Sequence, residues 1–383
     1  MSETIEAFFS LLRFEFTQAG LEDVVQNCAE DGLQELLSFA RAHDMAHLIS
    51  DALCKSGILT QGHPLYDGAQ KDVLRAVWST TNLNKVFLEI CRCFDQNEIS
   101  YIPLKGSVLR GEYPKPWMRT SCDVDILIHP EDLERASAAL QKIGFIPGRK
   151  KQYDMNFRRG QFLHLELHFR LIGKEPVAGV AAILDRVWEY AVQAEGSRYD
   201  LPDPFFYFYQ LAHLAKHCAN SGCGVRPFLD LWILEQRPHD EQLRTALIEE
   251  GGLQKFRESA EELMKYWMQG GTADPVIESF SQYILSCGVF GNKSNRLTAR
   301  LTRTKKTSYI FSRIFMPYRS LKICYPILEK WPVLLPAAEV KRWGDLLFHK
   351  NRRARIRAEF RKAASVSDTR MNEMKRLMEQ IGL

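Results

Sequence analysis

The sequence predicts an α+β protein with a small mixed β-sheet core flanked by N- and C-terminal helical regions. Apolar residues recur near a 3.6-residue period through most of the chain, which is typical of amphipathic helices. Between residues 98 and 175 the pattern changes to short runs of β-forming residues with alternating polarity, which indicates strands. These changes divide the chain into three predicted regions, 1–97, 98–175 and 176–383.

The first region, residues 1–97, is predicted to be helical. Its helical periodicity includes Ile5, Phe8, Leu12 and Phe16. Polar breaks at 31–32 and 61–64 separate the segments. The stretch from 70 to 97 is predicted to form one long amphipathic helix.

The second region alternates strands and helices. Residues 100–104 are predicted as a short strand, followed by a loop that opens into a helix, and CDVDILI (122–128) as a second strand. An amphipathic helix is expected over 130–143, because acids occupy its first turn and Gly144 follows as a cap. Residues 151–171 are predicted to form a hairpin.

The third region, residues 176–383, is predicted to be helical, with a charged helix over 350–380. Its charge is unusual: the segment 300–362 holds 17 Lys and Arg against four Asp and Glu, although the chain's net charge is only +4. Helices with a solvated basic face are the favoured interpretation. A surface for an anionic partner, nucleic acid or membrane, is the alternative.

Composition indicates a cytoplasmic protein. No apolar run reaches the ~18 residues of a membrane span, and the acidic N-terminus lacks the basic start of a signal peptide. The nine cysteines form no CxxC pair, so reduced thiols are expected.

Three acids carry the strongest chemical signal. Asp123 and Asp125 share one face of a predicted strand, since side chains alternate along a strand. Glu166 lies in the later strand HLELHF, whose leucines at 165 and 167 face the other way. Either these faces are simply solvated, or the acids bind a cation.

A turn upstream supports the second possibility. Lys105, Gly106 and Ser107 follow a predicted strand and open a helix, where backbone N–H groups favour phosphate. Three carboxylates suit one or two Mg²⁺ ions, which prefer oxygen ligands and accompany substrate phosphates. These parts together predict nucleotidyl transfer.

The order Gly106-Ser107, Asp123-x-Asp125 and Glu166 resembles the nucleotidyltransferase superfamily related to DNA polymerase β. More narrowly, PLKGSVLRGEYP, MRTSCDVDILI and HLELHF resemble a bacterial family of largely uncharacterised nucleotidyltransferases. The resemblance covers residues 100–171 and 205–235. The chain departs from the superfamily pattern in the long gap between Gly106 and Asp123 and in Lys105 before the glycine.

The resemblance implies a role for each motif position. Asp123, Asp125 and Glu166 would be catalytic and would ligate magnesium, with Glu166 also helping to deprotonate the acceptor. Gly106 and Ser107 would hold the β- and γ-phosphates, with Lys105 and Arg119 as nearby cations. Arg119 could instead pair with an aspartate.

Four further residues are candidates near the site. His168 falls on the same strand face as Glu166 and could orient a carboxylate. His213 and His217 lie four apart on one helix face. They are expected to line the groove beside the core, or to bond with Asp230 or Arg226; a zinc site is disfavoured because no companion ligand has a suitable spacing.

The functional hypothesis is Mg²⁺-dependent transfer of a nucleoside monophosphate from an NTP to a hydroxyl of a small molecule, peptide or protein, with release of pyrophosphate. AMP from ATP is favoured. Two alternatives remain: a catalytically inactive, antitoxin-like module that binds nucleotide or a partner, and an RNA-end nucleotidyltransferase that uses the basic segment.

Overall fold

The structure, a computed structural model, describes residues 3–20, 22–23, 28, 30–160, 163–171, 177–289, 291–304, 306, 308–309, 311, 315–348 and 350–383. Helices before and after one mixed sheet account for most of its elements. The predicted α+β class is therefore confirmed.

The N-terminal helices are α1 (Glu3–Thr17), α2 (Leu33–Ala42), α3 (Ala46–Lys55) and α4 (Tyr66–Gln96). The apolar face of α1 is buried, as its periodicity predicts. The long helix α4 contributes Ala69 to the helical core and Ile90 to the core beneath the sheet. It therefore connects the two parts of the fold.

Five strands form the main sheet: β1 (Tyr101–Pro103), β2 (Asp123–Ile128), β3 (Ile146–Lys150), β4 (Asp154–Arg159) and β5 (Leu163–His168). Their order is β1-β2-β5-β4-β3. The central pair β2–β5 is parallel and the other pairs are antiparallel. Two short helices, α5 (Gly106–Leu109) and α6 (Leu133–Lys142), follow β1 and β2.

The structure confirms the predicted hairpin as β4 and β5, but it also contains β3, which the sequence analysis missed. All five residues of β3 are exposed, so apolar alternation gives no signal there. Pro147 and Gly148 further weaken the strand pattern. A Cβ on Gly148 would lie 2.9 Å from the carbonyl oxygen of Asn156, so the close approach of β4 requires a glycine.

The predicted helix over 130–143 begins as a 3₁₀ turn, and α6 proper starts at Leu133.

The C-terminal region continues with helices and one small hairpin. Its elements are α7 (Ala178–Asp185), α8 (Val187–Tyr190), β6 (Val192–Gln193), β7 (Tyr199–Asp200), α9 (Asp203–Asn220), α10 (Arg226–Glu235), α11 (Glu241–Gly251), α12 (Gln254–Gln269), α13 (Pro275–Leu285) and α14 (Lys293–Arg303). After these come α15 (Tyr318–Cys324), α16 (Ile327–Lys330), α17 (Leu335–Phe348), α18 (Lys350–Ser365) and α19 (Asp368–Gln380).

The prediction of a single helix over 350–380 was wrong. The helix breaks between α18 and α19, where the Ser367 side chain accepts a hydrogen bond from the backbone N–H of Arg370. This serine is an N-cap, which starts a new helix rather than continuing the old one.

Two large hydrophobic cores organise the fold. In the first, the N-terminal helices pack with α9 to α13; for example, Phe9 of α1 stacks on Trp267 of α12 at 5.0 Å between ring centroids. The second lies between the sheet, α6 and the second half of α4. The two predicted helical regions thus share one core, and the divisions at 97 and 175 remain predictions. Among the described helices, none has the length and apolarity to cross a membrane.

Candidate active site

The parallel pair β2–β5 brings the three predicted acids together. In its register Asp123 lies opposite His164, and Asp125 lies opposite Glu166. Alternation along β2 buries Val124 and turns both aspartates to the other face. The sheet therefore builds the predicted carboxylate face directly from strand pairing.

His168 completes the cluster around Asp125. Its Nε2 lies 2.9 Å from Oδ1 of Asp125 and 3.8 Å from Oε2 of Glu166. One ligand atom from each of these three residues lies within 4.8 Å of the others. His168 thus contacts the carboxylates, whereas His164 is exposed.

Lys105 reaches the same carboxylate from the turn after β1. Its Nζ lies 2.8 Å from Oδ1 of Asp125. The lysine has a φ of +43°, which is uncommon for a residue other than glycine. The backbone N–H of Leu104 donates to the carbonyl of Asp125 at 3.0 Å, so the turn is fixed to β2.

The two aspartates differ in their electrostatics. Burial raises the pKa of Asp123, and the neighbouring Asp125 raises it further. For Asp125 burial acts in the same direction, but the contacts with Lys105 and His168 outweigh it and hold the pKa well below its usual range. Asp125 is therefore an ionised carboxylate, whereas Asp123 accepts a proton more readily.

The Gly106–Ser107 turn packs tightly against the loop that precedes β2. A Cβ on Gly106 would lie 3.1 Å from Oγ of Ser121 and 3.3 Å from Nη1 of Arg110, so a larger residue here would displace these side chains by a few tenths of an ångström. The Oγ of Ser107 is buried and has no hydrogen-bond partner in the described part of the chain. A buried hydroxyl without a partner costs free energy, which a bound ligand oxygen would recover.

Arg110 is a buried cation beside this turn that the sequence analysis missed. Its side chain is almost fully buried and donates to Oδ1 of Asn84 at 3.0 Å and to Oγ of Ser121 at 2.7 Å. Nη2 has no partner among the residues described. Burial, with help from Arg119, lowers the pKa of Arg110 to about 10. A single arginine in the segment LRGEY forms no sequence pattern that would predict its burial beside the turn.

Arg119 and Asp230 form a buried ion pair. Nε and Nη2 of Arg119 donate to the two carboxylate oxygens of Asp230 at 2.6 and 2.9 Å, and the hydroxyl of Tyr113 donates to Oδ1 at 2.8 Å. The pair joins the loop before β2 to α10. This geometry agrees with the structural alternative for Arg119, and its contact with a nucleotide remains a prediction.

A second ion pair supports the same loop and was also missed. Nη1 of Arg226 donates to Oδ2 of Asp44 at 2.6 Å and to the carbonyl of Thr120 at 3.1 Å. The hydroxyl of Thr120 donates to the same Asp44 oxygen. The loop that leads into Asp123 is therefore held by side chains from both helical regions.

His213 and His217 lie on α9, and their Nε2 atoms are 3.0 Å apart. His213 lines a cavity of about 120 Å³ together with Lys105, His168, Tyr209 and Lys216. His213 thus lies at a cavity beside the core, whereas His217 is not among the residues that line it, and a role for either histidine in binding remains a prediction. Burial lowers the pKa of both histidines, and the positive charge of Lys105 adds to the effect. Neither histidine belongs to a cluster of possible metal ligands among the described residues. Asp230, a predicted alternative partner of these histidines, instead forms an ion pair with Arg119.

The donor set around Asp125 fits a divalent cation. The carboxylate oxygens of Asp125 and Glu166 lie within 4.8 Å of each other, close enough to bind one ion. Asp123 lies on the same face of β2 as Asp125. The Lys105 ammonium lies 2.8 Å from the Asp125 carboxylate, so positive charge already faces this position. A second acidic cluster, Glu235, His239 and Glu241, is instead neutralised by the arginines at 244 and 257.

Parallel strands with an Asp-x-Asp motif and a third acid lie next to a Gly-Ser turn, which is the arrangement expected of a nucleotidyltransferase. The model of a family described as uncharacterised nucleotidyltransferase matches residues 29–269, more than half of the chain. The chain belongs to this family. It is accordingly an enzyme that transfers a phosphorus-containing group, with a nucleoside triphosphate as substrate. No curated protein and no solved structure matches it significantly.

Proposed function

We propose that the enzyme transfers AMP from ATP to a hydroxyl group of an acceptor and releases pyrophosphate. The acceptor oxygen bonds to the α-phosphorus, the bond from that phosphorus to the bridging oxygen breaks, and the hydroxyl proton passes to a base on the protein. The observation that supports this most directly is the cluster of Asp125, Glu166 and His168 beside the Lys105–Ser107 turn.

Asp123, Asp125 and Glu166 are the residues that would hold Mg²⁺. When bound, the ion would neutralise phosphate charge and favour in-line displacement. Glu166 is half-buried and lies 3.8 Å from His168, which lines the small cavity; there Glu166 would accept the acceptor's proton. His168 would hold Asp125 in position by donating to its carboxylate.

The triphosphate would lie along the turn after β1. Ser107 would donate its unpartnered hydroxyl to a phosphate oxygen, and Gly106 keeps the turn close to the β2 loop. Lys105 would exchange its contact with Asp125 for a phosphate once a divalent cation binds. His213 and Lys216, across the cavity, would face the acceptor.

Calorimetric titration with Mg²⁺ and a non-hydrolysable ATP analogue tests the site. Asp125→Asn and Asp123→Asn should each lose at least tenfold in affinity, because the negative charge of a carboxylate ligand to the cation is removed. Asp185→Asn, which makes the same change at an exposed position of α7, is the matched control. Equal affinity in all four proteins would overturn the assignment.

Transfer itself is tested with α-³²P-labelled ATP, GTP, CTP and UTP in the presence of fractionated metabolites, peptides and proteins. Label from ATP should appear in an acceptor fraction with wild type and not with Asp125→Asn. If label is transferred only from GTP, CTP or UTP, AMP is excluded as the transferred group.

The nine free thiols also support a cytoplasmic location as part of this proposal.

A further inference from the structure

Exposed apolar side chains are concentrated in one C-terminal segment. Of the 16 large apolar side chains exposed among the described residues, nine lie between residues 311 and 343. They are Phe311, Phe315, Tyr318, Ile327, Trp331, Val333, Leu334, Val340 and Trp343. Exposed apolar groups scattered singly need no explanation, but a concentration of this kind marks an interaction surface.

Ring contacts connect part of this segment into one patch. Phe311 contacts Phe315 at 4.8 Å between ring centroids, and Phe315 contacts Trp343 at 5.1 Å. Val340 lies three residues before Trp343, hence on the same face of α17, and is 67% exposed. Ala338 and Arg342 occupy the inward face of this helix. The helix therefore presents apolar groups outward.

Lysines and arginines are frequent in the same part of the chain as the apolar groups. Lys330 and Lys341 are exposed and form no ion pair with any described residue; Lys341 lies over the ring of Tyr325, 5.9 Å from its centroid. Arg357 and Arg361, four apart on α18, are exposed too. Over residues 300–362 the sequence holds 17 basic against four acidic side chains. The apolar patch thus lies within the most positive part of the chain.

We propose that this surface, named here the 311–343 surface, docks on an anionic membrane. Tryptophan and phenylalanine embed at the boundary between headgroups and acyl chains, and nearby lysines attract anionic lipids. Aliphatic groups such as Val333 and Val340 gain burial in lipid but offer no ring for stacking on nucleic acid bases. A second copy of the chain would bring two strongly basic segments together, and their repulsion opposes self-association.

Vesicle flotation of the full-length protein tests the proposal. Wild type should float with vesicles of phosphatidylcholine and phosphatidylglycerol, and not with phosphatidylcholine alone. The double variant Val333→Ser/Val340→Ser should bind at least tenfold more weakly, because apolar burial is lost. Leu74→Ser/Leu243→Ser makes the same type of change at two exposed positions elsewhere and should bind like wild type.

A charge series tests the electrostatic part. Lys330→Gln/Lys341→Gln should weaken binding by about fivefold per lysine, whereas Lys71→Gln/Lys142→Gln, exposed in α4 and α6, should not. Circular dichroism and thermal melting confirm that each variant is folded. Absent or lipid-independent binding would overturn the proposal. Binding to single-stranded RNA that is tighter than binding to vesicles, and that the Val333→Ser/Val340→Ser variant retains, would also overturn it. So would a wild-type dimer that dissociates in this variant.

Discussion

The ammonium of Lys105 lies 2.8 Å from Oδ1 of Asp125, the same oxygen that accepts a hydrogen bond from His168 at 2.9 Å. A buried carboxylate is thereby neutralised by the chain's own cation. A left-handed backbone at Lys105 directs the side chain to this position, and such strain persists only where the surroundings hold it. The lysine therefore occupies a place that suits a cation.

Replacing Lys105 by methionine should destabilise the metal-free protein by about 2 kcal/mol. Removing one partner of a buried pair leaves the other charge uncompensated, and the 20% exposure of Lys105 moderates the cost. Added Mn²⁺ should restore much of the lost stability, because Asp125 then gains another cation. Melting temperatures with and without Mn²⁺ measure both effects.

Lys151→Met is the control for this experiment. Its Nζ lies 2.8 Å from Oδ1 of Asp154 and 3.9 Å from Oε1 of Glu166, and its side chain is half exposed. The same loss of charge should change stability by less than about 0.5 kcal/mol. If both variants melt alike and neither responds to Mn²⁺, Lys105 does not hold a cation position.

The ion pair between Arg119 and Asp230 should be essential for stability. Both side chains are more than 90% buried, so Arg119→Met should cost about 3–5 kcal/mol in the free energy of unfolding. The double variant Arg119→Met/Asp230→Leu removes both charges and should recover part of that loss. Urea unfolding of wild type, the single variant and the double variant measures these free energies. Unchanged stability combined with weaker ATP binding would instead assign Arg119 to the nucleotide.

The sequence predicted the carboxylate face because a strand's period of two is a local property. Asp123 and Asp125 needed only that period, and alternation along β5 places Glu166 and His168 on one face. Their approach to Asp125, however, depends on the parallel pairing of β2 with β5, which was not predicted. The position of Arg110 depends on Asn84 and Ser121, which reach it from different elements, so local patterns could not reveal it. Likewise the partner of Arg119 is 111 residues away, and only the packing of α10 determines it.

Gly106→Ala should disturb the turn without unfolding the protein. The added Cβ would press on Ser121 and Arg110, and such overpacking costs about 1–3 kcal/mol. Affinity for the ATP analogue should fall together with stability. Gly68→Ala is the control: it lies within α4 with no heavy atom near the added Cβ, so it should gain about 0.5–1 kcal/mol. Wild-type affinity in Gly106→Ala would contradict a role of this turn in nucleotide binding.

Acidification should destabilise the fold through the buried histidines. Burial, followed by the charges of Lys105 and Lys216, lowers the pKa of His217 from its ordinary value of 6.5 to about 4. Between these two pH values the unfolded chain binds the proton and the folded chain does not, so stability falls as the pH falls. From pH 7 to 5 this histidine alone should cost about 2 kcal/mol. Melting temperatures of wild type and His217→Gln across this range measure the effect. The melting temperature of the variant should fall less than that of wild type as the pH is lowered. If the two melting temperatures fall in parallel, His217 is not the group responsible.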